Sequence, residues 1–541
     1  MTPLKRSVRS NAAVLTGIVL LSGCGTAATG ETGAPEPISI AIGEPVSPLL
    51  TANTVEENGT QVLESLFTGL VEYDTDGAVR YTGVAEDIES EDSVTWTVRL
   101  REGWSFHDGT PVTAESFVDA WNYAAYSPNA QEGSYFFANI EGFGDLQAPT
   151  DEEGEPTGDP AATELSGLRV VDDETFTVTL SAPFAQFPVT LGYNPFFPLP
   201  EAFYEDPEAF GVRPIGNGPF RAAGDFVSGE GITVLAYEDF AGEQPASVEA
   251  VEFRVYGDTD TAYLEAQSGD LDVLPRIPAD VAGTAPDEFE GRYVESAASG
   301  FTFLGLPLYR ERYADPRVRQ ALSLAIDRET IADKIFSGTR LAAASVVPPV
   351  VEGHRADACD ACVLDVDRAN ELLDEAGFDR TQPIELWFNA GTGNEDWMEA
   401  IGNQLRSNLG VEFVLKGELA PPEYGPLLGA QGMFGPFRMG WAMDYPSPQN
   451  FLEPLYATDA GANFSFYSNP AFDELVAKGN AAATSDEAIG FYNQAEDVLL
   501  EDMPIIPLFF DVTQSVHSAD VEGVVVDAFG RVDTTSLTAV G

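Results

Sequence analysis

The residues best suited to chemistry lie in one stretch, Phe437 to Leu452, which reads FRMGWAMDYPSPQNFL. Arg438 to Tyr445 bring together one cation, one anion, two large aromatics and a glycine. Pro446 and Pro448 then forbid a helix from running on through the segment. A core strand of this composition would bury Asp444 without a partner, and a surface loop would expose Trp441 and Tyr445. The lining of a ligand cleft fits better, with apolar walls and a few placed charges that fix orientation. On that reading Arg438 and Asp444 bring the charges, Gly440 and Ala442 the backbone groups, and Trp441 and Tyr445 the walls. A sheet-edge turn whose aromatics face the core is the alternative on these residues alone.

Catalytic chemistry finds less material. The three histidines, His107, His354 and His517, are far apart in sequence. No Gly-x-Ser-x-Gly elbow, His-Glu-x-x-His helix or phosphate-binding Gly-rich loop is present. Carboxylate pairs abound, but 88 acidic residues produce such pairs by chance. Cys359-Asp-Ala-Cys362 reads as a disulfide in an exported protein. Redox catalysis would need a thioredoxin-like βαβ setting, and zinc would need His354 and a fourth ligand. No metal site, cofactor or catalytic residue is predicted. A secreted hydrolase therefore fits poorly, and a surface adhesin would show repeats, which are lacking.

The elements that must position the central segment are legible from composition and periodicity. A chain of 541 residues predicts two or three domains. With 88 acidic and 27 basic residues, a net charge of −61, it has no basic surface to neutralise phosphates, which excludes nucleic acid as a partner. The acids are spread along the chain and read as a solvated surface, one that would also suit high salt. Lys5, Arg6 and Arg9 precede an apolar run from Ala12 to Leu21, shorter than the ~20 residues of a spanning helix. This is a targeting segment. Its end, Leu21-Ser22-Gly23-Cys24, resembles the bacterial lipobox, in which the Cys is acylated and becomes the mature N-terminus. The alternative is an ordinary secretory signal with a chance Cys. No other segment is apolar enough to span a bilayer.

Residues 25–37 have the small, polar composition of a flexible tether. ISIAI predicts a strand and QVLESLFTGL a helix. VTWTVRL alternates as a strand, and Thr113 caps a helix burying Phe117, Ala120, Trp121 and Ala124. His107 is read as structural. Residues 141–160 are an exposed loop, LRVVDDETFTVTL a hairpin, and RPIGNGPF a fixed turn. Asp315-Pro316 opens a helix through RVRQALSLAIDRETIADKIF, with its arginines solvated or surface-paired. DVDRANELLDEAG and FYNQAEDVLLEDM are helical, PIIPLFF is a buried strand, and GVVVDAF is one more strand.

Several of these stretches together resemble one family. They are the Gly-Trp-x-x-Asp-Tyr of 440–445, the LFTGL of 66–70, the His107-Asp108-Gly109 motif running on to Thr113, RPIGNGPF, SGDLDVL and DPRVRQALSLAID. The chain is similar in them to the solute-binding proteins, family 5, that serve ABC importers of oligopeptides and dipeptides. The resemblance implies an α/β fold of the type II periplasmic-binding-protein kind, in its three-domain oligopeptide-receptor variant, with two lobes around a ligand cleft. Implied boundaries are a signal peptide at 1–23, a lipidated tether at 24–37, a discontinuous first domain of 38–77, 204–299 and 511–541, an insert domain at 78–203, and a third domain at 300–510. The implied partners are a peptide, the permease subunits with their cytoplasmic ATPases, and the membrane through Cys24; the implied state is a monomer. By the same resemblance Asp444 would pair with a peptide's α-amino group. Asn53 and Glu56 lie in the loop where relatives place a ligand-holding residue. Asn394 stands where some receptors use a His for the peptide carboxylate. Position 442, Cys in some relatives, is Ala here, so no disulfide pins the segment. The same fold also takes metal complexes, opines and sugars, which leaves a non-peptide solute as the rival.

Overall fold

The computed structural model describes residues 37–46, 48–74, 77–151, 156–391 and 393–540. The expected signal peptide, tether and Cys24 lie outside them. Ile38–Ile42, a buried run on both faces, pairs in parallel with Ala250–Val255 and Val273–Leu274. Such continuous apolar strands belong in the interior of a sheet covered on both sides. Gly231–Ala236 and Phe220–Ala222 extend this side of the sheet, antiparallel. On its other side Ile384–Trp387 pairs in parallel with Phe413–Lys416 and, at one position, with Phe437–Trp441. All belong to one 11-stranded mixed sheet.

Two 13-residue strands, Tyr293–Gly305 and Ile505–His517, join these sides. They pair antiparallel along their length, Tyr293–Ala297 against Val512–Val516 and Phe301–Gly305 against Ile505–Phe510. The ladder is interrupted between them, at Ala298–Gly300 opposite Asp511. A Cβ on Gly300 would collide with the Asp511 carboxylate, so the interruption needs glycine there. Asp511 is ion-paired with Arg340 of the short strand Arg340–Ala342, which adds to Ile505–His517. Alternation sends Phe301 and Phe303 into one apolar cluster and Leu304 into another. On the partner strand Phe510 joins the first cluster and Leu508 and Phe509 the second, because a second irregularity at Thr302–Phe303 breaks the alternation there.

A separate antiparallel sheet of four strands, Ala85–Glu89, Thr95–Leu100, Thr175–Thr179 and Leu168–Asp172, contains the expected hairpin. The helix Ala114–Ala125 packs its Phe117 and Trp121 over that sheet, stacked on and edge to Phe176. His107 fastens this region to the RPIGNGPF turn. Its Nδ1 accepts the Gly216 N–H at 3.1 Å, leaving Nε2–H to donate to the Gly218 carbonyl at 3.1 Å. That geometry requires a neutral ring, and burial holds its pKa down at about 4.

Three expectations are corrected. The helix from Asp315 is two helices, Pro316–Leu324 and Arg328–Ile335, because Asp327 caps a second start by accepting from the Thr330 N–H. The arginines there are not all at the surface: Arg317 pairs with Asp315, but Arg319 and Arg328 are only 4% and 3% exposed. Arg319 donates to the carbonyls of Tyr313, Ala314, Asp502 and Met503, and Arg328 to those of Ser323, Ile326, Cys362 and Pro507. Apart from Pro507, which lies on the long strand at its irregularity, these are acceptor groups at helix ends and turns, so a buried guanidinium serves as their cap. GVVVDAF is not a strand: Val521–Glu522 forms a short one, and beyond it Val526 makes only an isolated bridge to Val532. Arg531 explains this, since its N–H and guanidinium hold the Asp527 carboxylate in a turn.

Candidate functional site

The central segment begins as the strand Phe437–Trp441, antiparallel to the upper half of Tyr293–Gly305, with Trp441 opposite Phe301 and Gly440 opposite Thr302. Its other edge meets Ile384–Trp387 at Phe437 alone. From Arg438 onward that edge has no strand partner among the described residues, and an unpaired edge is a template for an added strand. The strand ends where Asn450 takes over. Asn450 Oδ1 accepts from the Asp444 N–H at 3.0 Å and the Trp441 indole at 3.3 Å, while its Nδ2 donates to Asp444 Oδ2 at 3.0 Å. Pro448 does more than block a helix, as the sequence reading has it. It is the first residue of one, Pro448–Tyr456, with Ser447 accepting the Gln449 N–H as cap. Met443 turns into the core; Asp444 and Tyr445 do not.

Trp441, Asp444 and Tyr445 line a cleft of about 610 Å³. Its opposite wall is Tyr135, Phe136, Phe184, Phe187 and Phe196 from the insert region. Tyr445 itself packs against the apolar cluster of that region. The insert region reaches across directly: Ala185 N–H donates to Asn480 O at 2.7 Å, Ser93 Oγ to Ala482 O at 2.9 Å, and Gln186 Nε2 to Ser485 Oγ at 3.0 Å. Burial raises the Asp444 carboxyl above the usual Asp range, opposed only by the Asn450 hydrogen bond. No cation among the described residues contributes to holding its charge. A half-buried carboxylate without a counter-ion is a costly feature in a free protein, and it suits an arriving ammonium.

Ala442 lies on the other side, in a hollow of about 350 Å³ at the strand interruption, with Arg276, Arg340, Asp511 and Gln514. Arg438 is partly buried, its pKa pushed down by desolvation, and its Nε is buried without a hydrogen-bond partner. The segment thus has an anionic end toward one hollow and cationic groups near the other. A further surface hollow around Glu64, Asp527 and Arg531 holds an ion-pair network away from the segment.

The remaining sequence candidates do not line the cleft. Asn53 Oδ1 accepts from the Glu132 N–H at 3.2 Å and so steadies the short helix Glu132–Phe137, which carries Tyr135 and Phe136. Glu56 caps the helix Glu57–Leu66, accepting from the N–H groups of Asn58 and Gly59. Asn394 Oδ1 accepts from the Trp397 indole at 3.1 Å, at the start of the helix Glu395–Leu409. Cys359 and Cys362 are joined, Cα to Cα 5.3 Å, away from the cleft. Each imidazole faces a backbone carbonyl: His107 that of Gly218, His354 that of Val347 and His517 that of Ser518. Sequence reasoning missed the aromatic wall, although the run Tyr135-Phe136-Phe137 was its signal. It also missed Gln449 and Glu453, one helical turn apart on the face toward the cleft.

The chain is 27% identical over 460 residues to the periplasmic murein peptide-binding protein MppA of Escherichia coli, covering 83% of each chain. It is 29% identical over 468 residues to the periplasmic oligopeptide-binding protein OppA of Salmonella typhimurium, covering 84% of this chain and 83% of that one. A solved structure of the murein tripeptide-binding protein in its unliganded open form superposes with a TM-score of 0.82 at 24% identity, over 93% of this chain and 97% of that one. The family model for the bacterial extracellular solute-binding proteins, family 5, matches residues 81–463. With its type II periplasmic-binding-protein fold, the chain belongs to the bacterial extracellular solute-binding proteins of family 5.

Proposed function

We propose that this protein captures oligopeptides or dipeptides outside the cytoplasm and delivers them to the permease subunits of an ABC importer, driven by its cytoplasmic ATPases. The observation that carries the proposal is Asp444, a carboxylate without a counter-ion beside an aromatic-walled cleft, at the end of a strand with an open edge. An extended peptide would add to that edge through the backbone at Gly440 and Ala442, which gives affinity without demanding a sequence. Its α-ammonium would meet Asp444, and Arg438 would draw the carboxylate of a short peptide. Trp441 and Tyr445 would cover the side chains. Asn53, Glu56 and Asn394 would act as positioning residues. The names of the relatives, murein peptide-binding and oligopeptide-binding, support the same class of ligand.

Closure would turn about Ala298–Gly300 and Asp511, bringing the parts at 38–77, 204–299 and 511–541 with the insert 78–203 toward 300–510. The protein would act as a monomer without cofactor or catalysis, held at the membrane by acylated Cys24 after removal of residues 1–23. Native mass spectrometry of protein purified without denaturation tests the ligand class. Peptides are the expected cargo, and a sugar, opine or metal complex in the cleft would refute the proposal.

A further inference from the structure

The cleft beside Asp444 contains a second carboxylate that peptide capture alone does not need. Glu453 lies one turn along the helix from Gln449, and both line the cleft. Its Oε2 is held from two sides: Gln449 Nε2 donates at 2.5 Å and Asn480 Nδ2 at 2.9 Å. Each donor is itself anchored, Gln449 by the Tyr445 hydroxyl and Asn480 by the Tyr492 hydroxyl at 2.7 Å. Oε1 takes no hydrogen bond from the described residues and is not fully buried, and Glu453 lines the cleft. A carboxylate needed only to hold the helix would use both oxygens. This one is fixed by one oxygen and presents the other.

The surroundings specify the charge of what it would meet. Among the described residues, Asp444 and Glu453 are the only charged ones lining the cleft, and no Lys, Arg or His is within ion-pair distance of either. Both lie close enough to the Tyr445 phenol to raise its pKa further, after burial, which is the larger cause. Phe184 and Phe187 line the same cleft with apolar surface. Such a cavity matches a ligand with two positive charges separated by an apolar stem. The acidic exterior, −61 overall, also favours the approach of cations.

We propose that Glu453 makes this cleft a specificity subsite for a basic side chain, so that peptides with Lys or Arg as their first residue are preferred. The inference rests on the peptide reading: the α-ammonium pairs with Asp444, the aliphatic stem lies along the phenylalanines, and the terminal cation reaches Glu453 Oε1. A neutral first residue of equal length would leave Glu453 solvated by trapped water and lose that contact.

The test is calorimetric titration of wild type and Glu453→Gln with two tetrapeptides, Lys-Ala-Ala-Ala and norleucine-Ala-Ala-Ala, at low and physiological salt. Wild type should bind the lysine peptide about tenfold or more tightly, with the preference shrinking as salt rises. Glu453→Gln keeps an amide oxygen for Gln449 and Asn480 and should bind both peptides alike. Equal binding of the two peptides by wild type overturns the inference and leaves peptide capture standing, whatever the variant does. A lysine preference that persists in a folded Glu453→Gln also overturns it. Binding of neither peptide to wild type overturns the peptide reading, and this inference with it.

Discussion

Replacing Asp444 by Asn tests the site with the least disturbance. Asn keeps the volume and an oxygen for the Asn450 Nδ2 hydrogen bond, now 3.0 Å long, and removes only the charge. An ammonium about 3 Å from the carboxylate gains roughly 5 kcal/mol at an effective dielectric of about 20. Part of that is returned as desolvation, and measured charge pairs of this kind are worth about 2–5 kcal/mol. A net of about 3 kcal/mol corresponds to roughly 150-fold in affinity. Wild type should therefore lose about that factor between tetra-alanine and its N-acetylated form, and Asp444→Asn should barely distinguish the two. Isothermal titration of both proteins with both peptides closes the cycle. Additive losses would show that Asp444 is not the amine's partner and would refute the reasoning. A second sign is available without ligand. Burial raises the Asp444 pKa in the fold above its unfolded value, so the folded state binds its proton more tightly, and charging the group at neutral pH costs stability. The ligand-free variant should thus melt above wild type at pH 7, with the gap narrowing as pH falls toward the ordinary Asp range.

Three further outcomes are expected. Cys24→Ser should release the protein from membranes or leave its signal uncleaved, because acylation contributes about 0.8 kcal/mol per buried CH₂; a variant that still fractionates with membranes at mature mass would refute the anchor. Cys359 and Cys362 should resist alkylation until reduced, as read by intact mass, and opening so short a loop should cost only about 1–2 kcal/mol. His107 should make stability pH-dependent. Its folded pKa is depressed to about 4, chiefly by burial and secondarily by the Arg221 charge, with the Gly218 hydrogen bond and Asp108 opposing. The unfolded chain takes up a proton below about 6.5 while the fold does not, so stability falls as pH drops from about 6.5 to 4, by up to roughly 3 kcal/mol. Urea unfolding of wild type and His107→Gln across that range isolates the contribution, and parallel pH profiles for the two would contradict it.

What the sequence reveals is what neighbouring residues decide among themselves. Thr113, Asp315 and Gly377 mark helix ends because caps are local, and Thr95 to Leu100 alternates because a strand's two faces do. The Gly-Trp-x-x-Asp-Tyr segment stands out because its composition suits neither core nor surface. Long-range partners are invisible at that level. Arg319 and Arg328 look like surface charges until the carbonyl ends of distant helices are brought over them. Glu453 looks like one acid among 88 until Asn480, 27 residues away, closes on one of its oxygens. Asn53 and Glu56 were suggested by a position in a loop; the structure shows what they hold, a helix start and the backbone beside an aromatic wall.

The interruption at Ala298–Gly300 and Asp511 has a mechanical consequence. Under the proposed closure, two strands that remain hydrogen-bonded on either side of a short gap would act as a notched beam, with the gap, and a smaller irregularity at Thr302–Phe303, as the points that can bend. Bending there would keep the paired residues on either side in register, so the two sides could swing without unzipping. The Asp511–Arg340 pair sits in the notch. Displacement then grows with distance from the pivot. Ala442, which shares the hollow at the notch, would therefore travel little. A solute near the pivot would be gripped with much the same geometry whatever its size, and the far end would be free to adjust to its length.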